Sequence, residues 1–226
     1  MKKSRLLVAA TLSATLAACA TSPTGRKQLM LVSEQQAISA SRQAYVQEMG
    51  KYRQAGKLVD DPKLLRRVEV ITGRLVAQAV KMRPDSARWD WSVAIIDDPK
   101  AVNAWRMAGG RMALYTGLLR QVDPTDDELA QVMAHEIAHA LANHSAERMS
   151  VAMASQAGYD PRAAATLWQK MGAVGGGKSP PAFLSTHPSD QQRQQRLGAL
   201  ASKMMPYYQA PGTRPTHPVR VGAGAA

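Results

Sequence analysis

Residues 135–139 read His-Glu-Ile-Ala-His, and they fall in the middle of a run that carries the marks of a helix. Thr125 and Glu128 have capping-box spacing, and Asp126 and Asp127 suit the positive end of a helix dipole. The run is expected to continue to about Ser150. Residues four apart lie on one helix face, so the imidazoles of His135 and His139 can reach one metal ion. Glu136 is turned about 100° from His135 by the helical period. It can hold a water at such an ion without taking a coordination position. Zinc brings the pKa of that water toward about 7, and Glu136 is placed to take its proton and pass it to a leaving amine. Met133, Ala134, Ile137, Ala138, Ala140 and Leu141 surround the motif. A polar triad among such residues is costly to bury without a partner. The competing reading, two histidines on a solvated face, fits those neighbours poorly.

The rest of the chain supplies helices before and after this one and a small sheet. Ser33 with Gln36 opens a helix to about Ala55, and Asp61-Pro62 opens another that Pro84 ends. Trp89, Trp91, Val93 and Ile95 alternate as in a strand. Ala101 to Met107 and Arg111 to Thr116 read as two more strands joined by Ala108-Gly109-Gly110. The sheet is expected to be small and antiparallel. Asp160-Pro161 starts a helix to about Met171, and Ser189 with Gln192 opens a last one to about Met204. Gly172 to Pro188 reads as a loop. The divisions expected are 1–18, an export signal; 19–32, a linker; 33–205, one domain; and 206–226, a flexible Pro/Gly-rich tail.

The first segment is an address. Lys2, Lys3 and Arg5 precede an uncharged stretch from Leu6 to Ala18, too short to span a bilayer as a helix but suited to a signal peptide. The single cysteine of the chain, Cys19, stands where that stretch stops. Leu16-Ala17-Ala18-Cys19 resembles the bacterial lipoprotein box, which implies lipidation of Cys19. A plain secretory peptide is the alternative. Ala20 after the cysteine implies, by likeness to enterobacterial sorting, the outer membrane facing the periplasm. One cysteine excludes a disulfide framework and a Cys₄ zinc site within the chain. The formal charge is +12, of which the signal holds three. The remaining positive charges never form a block, so adhesion to an anionic envelope is the expectation and no nucleic-acid partner is expected.

Further stretches carry a family likeness: Val102-Asn103-Ala104-Trp105, Gly109-Gly110-Arg111, Tyr115-Thr116-Gly117-Leu118-Leu119, Ala157-Gly158-Tyr159-Asp160-Pro161 and Ser185-Thr186-His187-Pro188. With His135-Glu136-Ile137-Ala138-His139, they make the chain from about Ser33 to Met204 resemble the zinc peptidases that include the CAAX prenyl endopeptidases and the bacterial HtpX-like enzymes. The resemblance implies an α+β, mostly helical gluzincin-type fold with a small antiparallel sheet beside the active-site helix. It implies zinc on His135 and His139, Glu136 as the catalytic carboxylate, and polypeptide substrates, with envelope proteins as partners. It places Asn103, Ala104 and Trp105 along the substrate cleft, where an extended peptide can add to the sheet edge. Core packing is the competing role for Trp105. The resemblance further implies that His187 helps hold the transition-state oxyanion, and that Arg193 supports this corner rather than lying on a solvated helix face.

The likeness has one gap. A catalytic zinc site needs three protein ligands, and the family's third is a Glu on the next helix, just before the stretch matching Ala157 to Pro161. After His139 the acidic residues are Glu147, Asp160 and Asp190. On a continuous helix Glu147 stands about 12 Å beyond His139 and roughly 80° round, a poor position. Asp160 suits an N-cap, and His187 is the alternative third ligand. A non-catalytic, peptidase-fold binding or chaperone lipoprotein is therefore the second expectation beside a zinc metalloendopeptidase of the envelope.

Overall fold

The computed structural model describes residues 19–21, 27–29, 33–142, 146–174 and 191–225. In chain order its elements are β1 (Cys19–Thr21), β2 (Lys27–Leu29), α1 (Glu34–Gln54), α2 (Pro62–Met82), β3 (Ser92–Ile96), β4 (Ala104–Met107), β5 (Arg111–Tyr115), α3 (Asp126–Leu141), α4 (Ala146–Gln156), α5 (Ala163–Val174), α6 (Gln191–Gln209) and β6 (Arg220–Val221). The fold is α+β and mostly helical. The expected signal at 1–18 lies outside the described residues. β1 and β2 pair antiparallel within the stretch expected to be a linker. Among the described residues no helix is long and apolar enough to cross a membrane.

The helix starts follow from their caps. Ser33 Oγ accepts from the Gln36 amide at 3.2 Å, and the Gln36 side chain accepts from the Ser33 amide at 3.0 Å. Asp61 Oδ1 accepts from the Lys63 amide at 2.9 Å, with Pro62 at the first helical position. Thr125 and Glu128 form the reciprocal pair that opens α3, at 3.2 and 2.9 Å. Caps of this kind stabilise a helix by about 1 kcal/mol each.

The sheet is mixed, which corrects the antiparallel expectation. Its order is β4-β5-β3-β6: β5 pairs antiparallel with β4 but parallel with β3, and β6 adds parallel to the other side of β3. The hairpin β4–β5 is formed as expected, but its second strand, not its first, lies beside β3. The physical reason is burial. All five residues of β3 are buried, so it is covered on both faces, as central parallel strands are. Val93 and Ile95 face one cluster with Val68, Ile71 and Leu75 of α2 and Leu129, Met133 and Ile137 of α3. Ala94 and Ile96 face the other, with Tyr45 and Met49 of α1. The molecule is thus layered, α1 on one side of the sheet and α2 with α3 on the other. At the hairpin Gly110 has φ 85°, and a Cβ there would meet the Trp91 ring at 2.7 Å. Glycine is the residue that fits both demands.

Two further expectations are corrected. The helix from Thr125 to Ser150 is two helices: α3 ends at Leu141 and Ala142 is extended, at φ −151° and ψ 128°. The stretch 206–226 is not a loose tail. α6 continues through Pro206 to Gln209, and the chain after it straps the domain. Arg214 donates to the carbonyls of Gln156, Tyr208 and Ala210. The His217 amide donates to the Gly73 carbonyl at 2.9 Å, and the Arg220 amide to that of Trp91 at 3.1 Å. Val219 and Ala225 are buried, and Arg220 joins Arg111 in an ion pair with Asp90.

Candidate active site

α3 is buried along most of its length, packed by Leu129, Met133 and Ile137 against the core shared with α2 and the sheet. That packing fixes the rotation of the helix and hence the direction of its polar residues. His135 is 7% and Glu136 8% exposed, and His139 is partly buried. The two imidazoles converge: their Nε2 atoms are 3.1 Å apart, with ring centroids at 4.5 Å and planes at 84°. Zinc–nitrogen bonds of 2.0–2.1 Å in a tetrahedral shell hold two ligand nitrogens about 3.4 Å apart. The pair therefore fits a shared divalent cation. Burial pushes the Glu136 carboxyl up to about 8, while the Arg106 guanidinium pulls the other way.

A third ligand does not complete the set among the described residues: no three His, Cys, Asp or Glu side chains there stand close enough to hold a metal. His187 lies outside the described residues. Arg193 falls in the first turn of α6, and its side chain is likewise outside them. Glu147 is not where a continuous helix would carry it. The break at Ala142 is followed by a new helix that packs on α3, and Glu147 lines a small, partly open cavity of about 20 Å³ together with His135, Gln131, Ser150 and Trp168. Asp160 acts at a helix start, as expected: its Oδ1 accepts from the Arg162 amide at 2.8 Å. Its own amide and carbonyl are held by Asp127 and Gln131 of α3.

The strand residues divide by face. Asn103 precedes β4, and its Oδ1 accepts from the Ala104 amide at 2.9 Å. Its carbonyl accepts from the Tyr115 amide at 3.1 Å. Ala104 faces the core of α3. Trp105 points away, to the α1 layer, where it meets Tyr45 edge-on at 5.9 Å and donates to the Tyr115 hydroxyl. Its side chain fills the far core instead of facing Glu136. Arg106 is the site neighbour that the sequence reading did not single out. The period-two alternation that sets it beside Ala104 was the available signal.

A buried helix carrying two convergent imidazoles and a neighbouring carboxyl, packed against a small mixed sheet, defines the metallopeptidase class. The chain belongs to Peptidase family M48, whose pattern matches residues 62–156 and again 145–201. Residues 145–156, which include the whole of α4, are matched twice. Among relatives, the chain is 31% identical over 156 residues to mitochondrial metalloendopeptidase OMA1 of Schizosaccharomyces pombe, covering 47% of this chain and 45% of that protein. It is 30% identical over 126 residues to the human mitochondrial metalloendopeptidase OMA1, covering 55% and 23%. It is 32% identical over 107 residues to the beta-barrel assembly-enhancing protease of Escherichia coli K12, covering 45% and 20%. The chain spans less than half the length of each of these relatives.

Proposed function

We propose that this chain is a zinc-dependent metalloendopeptidase of the bacterial cell envelope, acting on exported polypeptides in quality control. The observation that carries the reading is the 3.1 Å approach of His135 Nε2 to His139 Nε2, with the buried Glu136 next to them on the same helix. His135 and His139 would hold the zinc, which supplies Lewis acidity to a peptide carbonyl and lowers the pKa of water. Glu136 takes a proton from the attacking water and delivers it to the leaving amine. Burial keeps bulk water from that carboxyl, and Arg106 favours its charged form. A substrate strand is held along β4, with Asn103 fixing the entry of that strand. His187 and Arg193 are assigned the oxyanion corner. The envelope setting is supported by the apolar stretch before Cys19, read as an export signal with lipidation of Cys19 as the anchor to the outer membrane, and by the likeness to a protease named for β-barrel assembly.

Metal analysis and digestion of casein by the purified chain test this directly. About one zinc per chain and chelator-sensitive cleavage are expected. Glu136→Gln should keep the metal and lose cleavage, and His135→Ala should lose both. Cleavage that survives in Glu136→Gln overturns the reading. A second reading, a binding or chaperone protein on the same fold, is favoured by one observation: the described residues supply two metal-binding side chains and not three. It predicts zinc well below one per chain and polypeptide binding that His135→Ala leaves intact.

A further inference from the structure

β4 ends the sheet among the described residues, with β5 on its inner side and no described strand on its outer side. Successive side chains of a strand point to opposite faces. Trp105 and Met107 belong to the α1-side cluster, and Ala104 to the cluster containing α3. Arg106 therefore shares the face of Ala104, toward the active-site helix, and its charge is felt at Glu136. It is partly buried. Other arginines set into this domain have partners: Arg83 pairs with Glu34 and Asp85, Arg111 pairs with Asp90, Arg214 donates to three carbonyls and Arg74 lies over the Tyr159 ring. Arg106 makes no hydrogen bond or ion pair among the described residues. Arg106 is thus a partly buried guanidinium on the last described strand of the sheet, on the face turned to the helix of the proposed catalytic carboxyl.

We propose that Arg106 determines specificity, taking an acidic side chain of the peptide that lies along β4. The proposal rests on the peptidase reading and names its substrate class. An extended peptide added to β4 sends every second side chain to the α3 face. The one opposite Arg106 sits with its Cβ about 4.5–5.5 Å from the arginine Cβ. An Asp or Glu there meets a planar fork of donors that matches a carboxylate two bonds at a time. A Lys or Arg there meets a like charge and is rejected. The same guanidinium acting only through Glu136 would alter turnover of every peptide alike, so the two roles separate in kinetics.

The test is digestion of a randomised peptide library by the full chain loaded with zinc, with cleavage sites read by mass spectrometry. One fixed position near the scissile bond should favour Asp and Glu over Lys and Arg by about tenfold, the scale of one charge-assisted pair. Arg106→Gln should flatten that preference and Arg106→Glu invert it, read as the ratio of kcat/KM for acidic over basic peptides, which a fall in kcat shared by all peptides through Glu136 leaves unchanged. Cleavage with no charge preference at any position, or a preference that Arg106→Glu leaves intact, overturns the proposal while the peptidase reading stands. Peptide binding is measured in parallel by fluorescence anisotropy on the Glu136→Gln chain, with two probes differing by Glu or Lys at one position. Equal affinities overturn the proposal whether or not the wild type cleaves. Tighter binding of the Glu probe, abolished in an Arg106→Gln, Glu136→Gln double variant, supports it even if casein is left uncut, which is the result that sinks the peptidase reading instead. If Arg106→Glu does not fold, the Arg106→Gln comparison carries both assays.

Discussion

Glu128 ties the start of the active-site helix to α5, and its removal should loosen that helix in a pH-dependent way. Its side chain is 4% exposed. Its carboxylate accepts from the Thr125 amide at 2.9 Å, the Thr166 hydroxyl at 2.8 Å and the Lys170 ammonium at 2.7 Å. Burial alone would raise its pKa. The bonds from Lys170, Thr125 and Thr166 outweigh burial and hold it below the usual carboxylate range. A hydrogen bond to a charged group contributes about 1.5–3 kcal/mol, but Lys170 is 39% exposed and can return to water, so its share is discounted. Loss of the capping-box partner costs about 1 kcal/mol more. Glu128→Ala should then destabilise by about 2–3 kcal/mol at pH 7, which for a chain of this size lowers Tm by about 5–10 °C. The sign follows from the depressed pKa. The charged-state stabilisation is complete above the unfolded value near 4.3 and is lost as pH falls through the lower folded value. Urea unfolding of wild type and variant at pH 7 and pH 3, extrapolated linearly, should show the gap between them narrowing at the acid end. An equal gap at both pH values, or one under about 0.5 kcal/mol at pH 7, refutes the account.

Gly117→Ala should cost more than about 2 kcal/mol or prevent folding, because its Cβ would fall on the backbone of Ala101, with the amide nitrogen at 2.9 Å and the carbonyl closer still. A thermal melt unchanged from wild type contradicts this. Deleting residues 213–226 removes the buried Val219 and should bare the β3 edge that β6 occupies, lowering the urea midpoint and promoting association through the bared strand. A truncated chain that keeps the oligomeric state of the intact one in size-exclusion chromatography, with an unshifted midpoint, would show the strap to be idle.

What was legible in the sequence was local. Ser33 with Gln36, Asp61-Pro62 and Thr125 with Glu128 marked three helix starts because each is complete within a few residues. The pairing of His135 with His139 was legible for the same reason, since one turn of helix suffices to bring them together. The order of the sheet was not, because whether β4 or β5 lies beside β3 depends on burial that α1, α2 and α3 create jointly. Nor was the strap. Its Pro and Gly content reads as loop, yet Gly222, at φ 82°, lies where a Cβ would touch Leu65 at 2.8 Å, so the smallness that suggested looseness is what allows close packing.

The break after Leu141 was hidden for a different reason. Ala142 and the residues around it include no proline or glycine, the usual stop signals. The end of α3 is stabilised from a distance. Arg83, stacked on Trp89 at 4.8 Å and paired with Glu34 and Asp85, donates to the Leu141 carbonyl at 3.4 Å. Reading through that break carried Glu147 about two turns past His139 and out of play. With the chain turned at Ala142, Glu147 shares a cavity with His135. Arg83 thus bonds the last carbonyl of α3, and beyond that helix end Glu147 comes to line the same cavity as His135. The environment of His135 is therefore built from the helix that follows this break as well as from the motif that contains it.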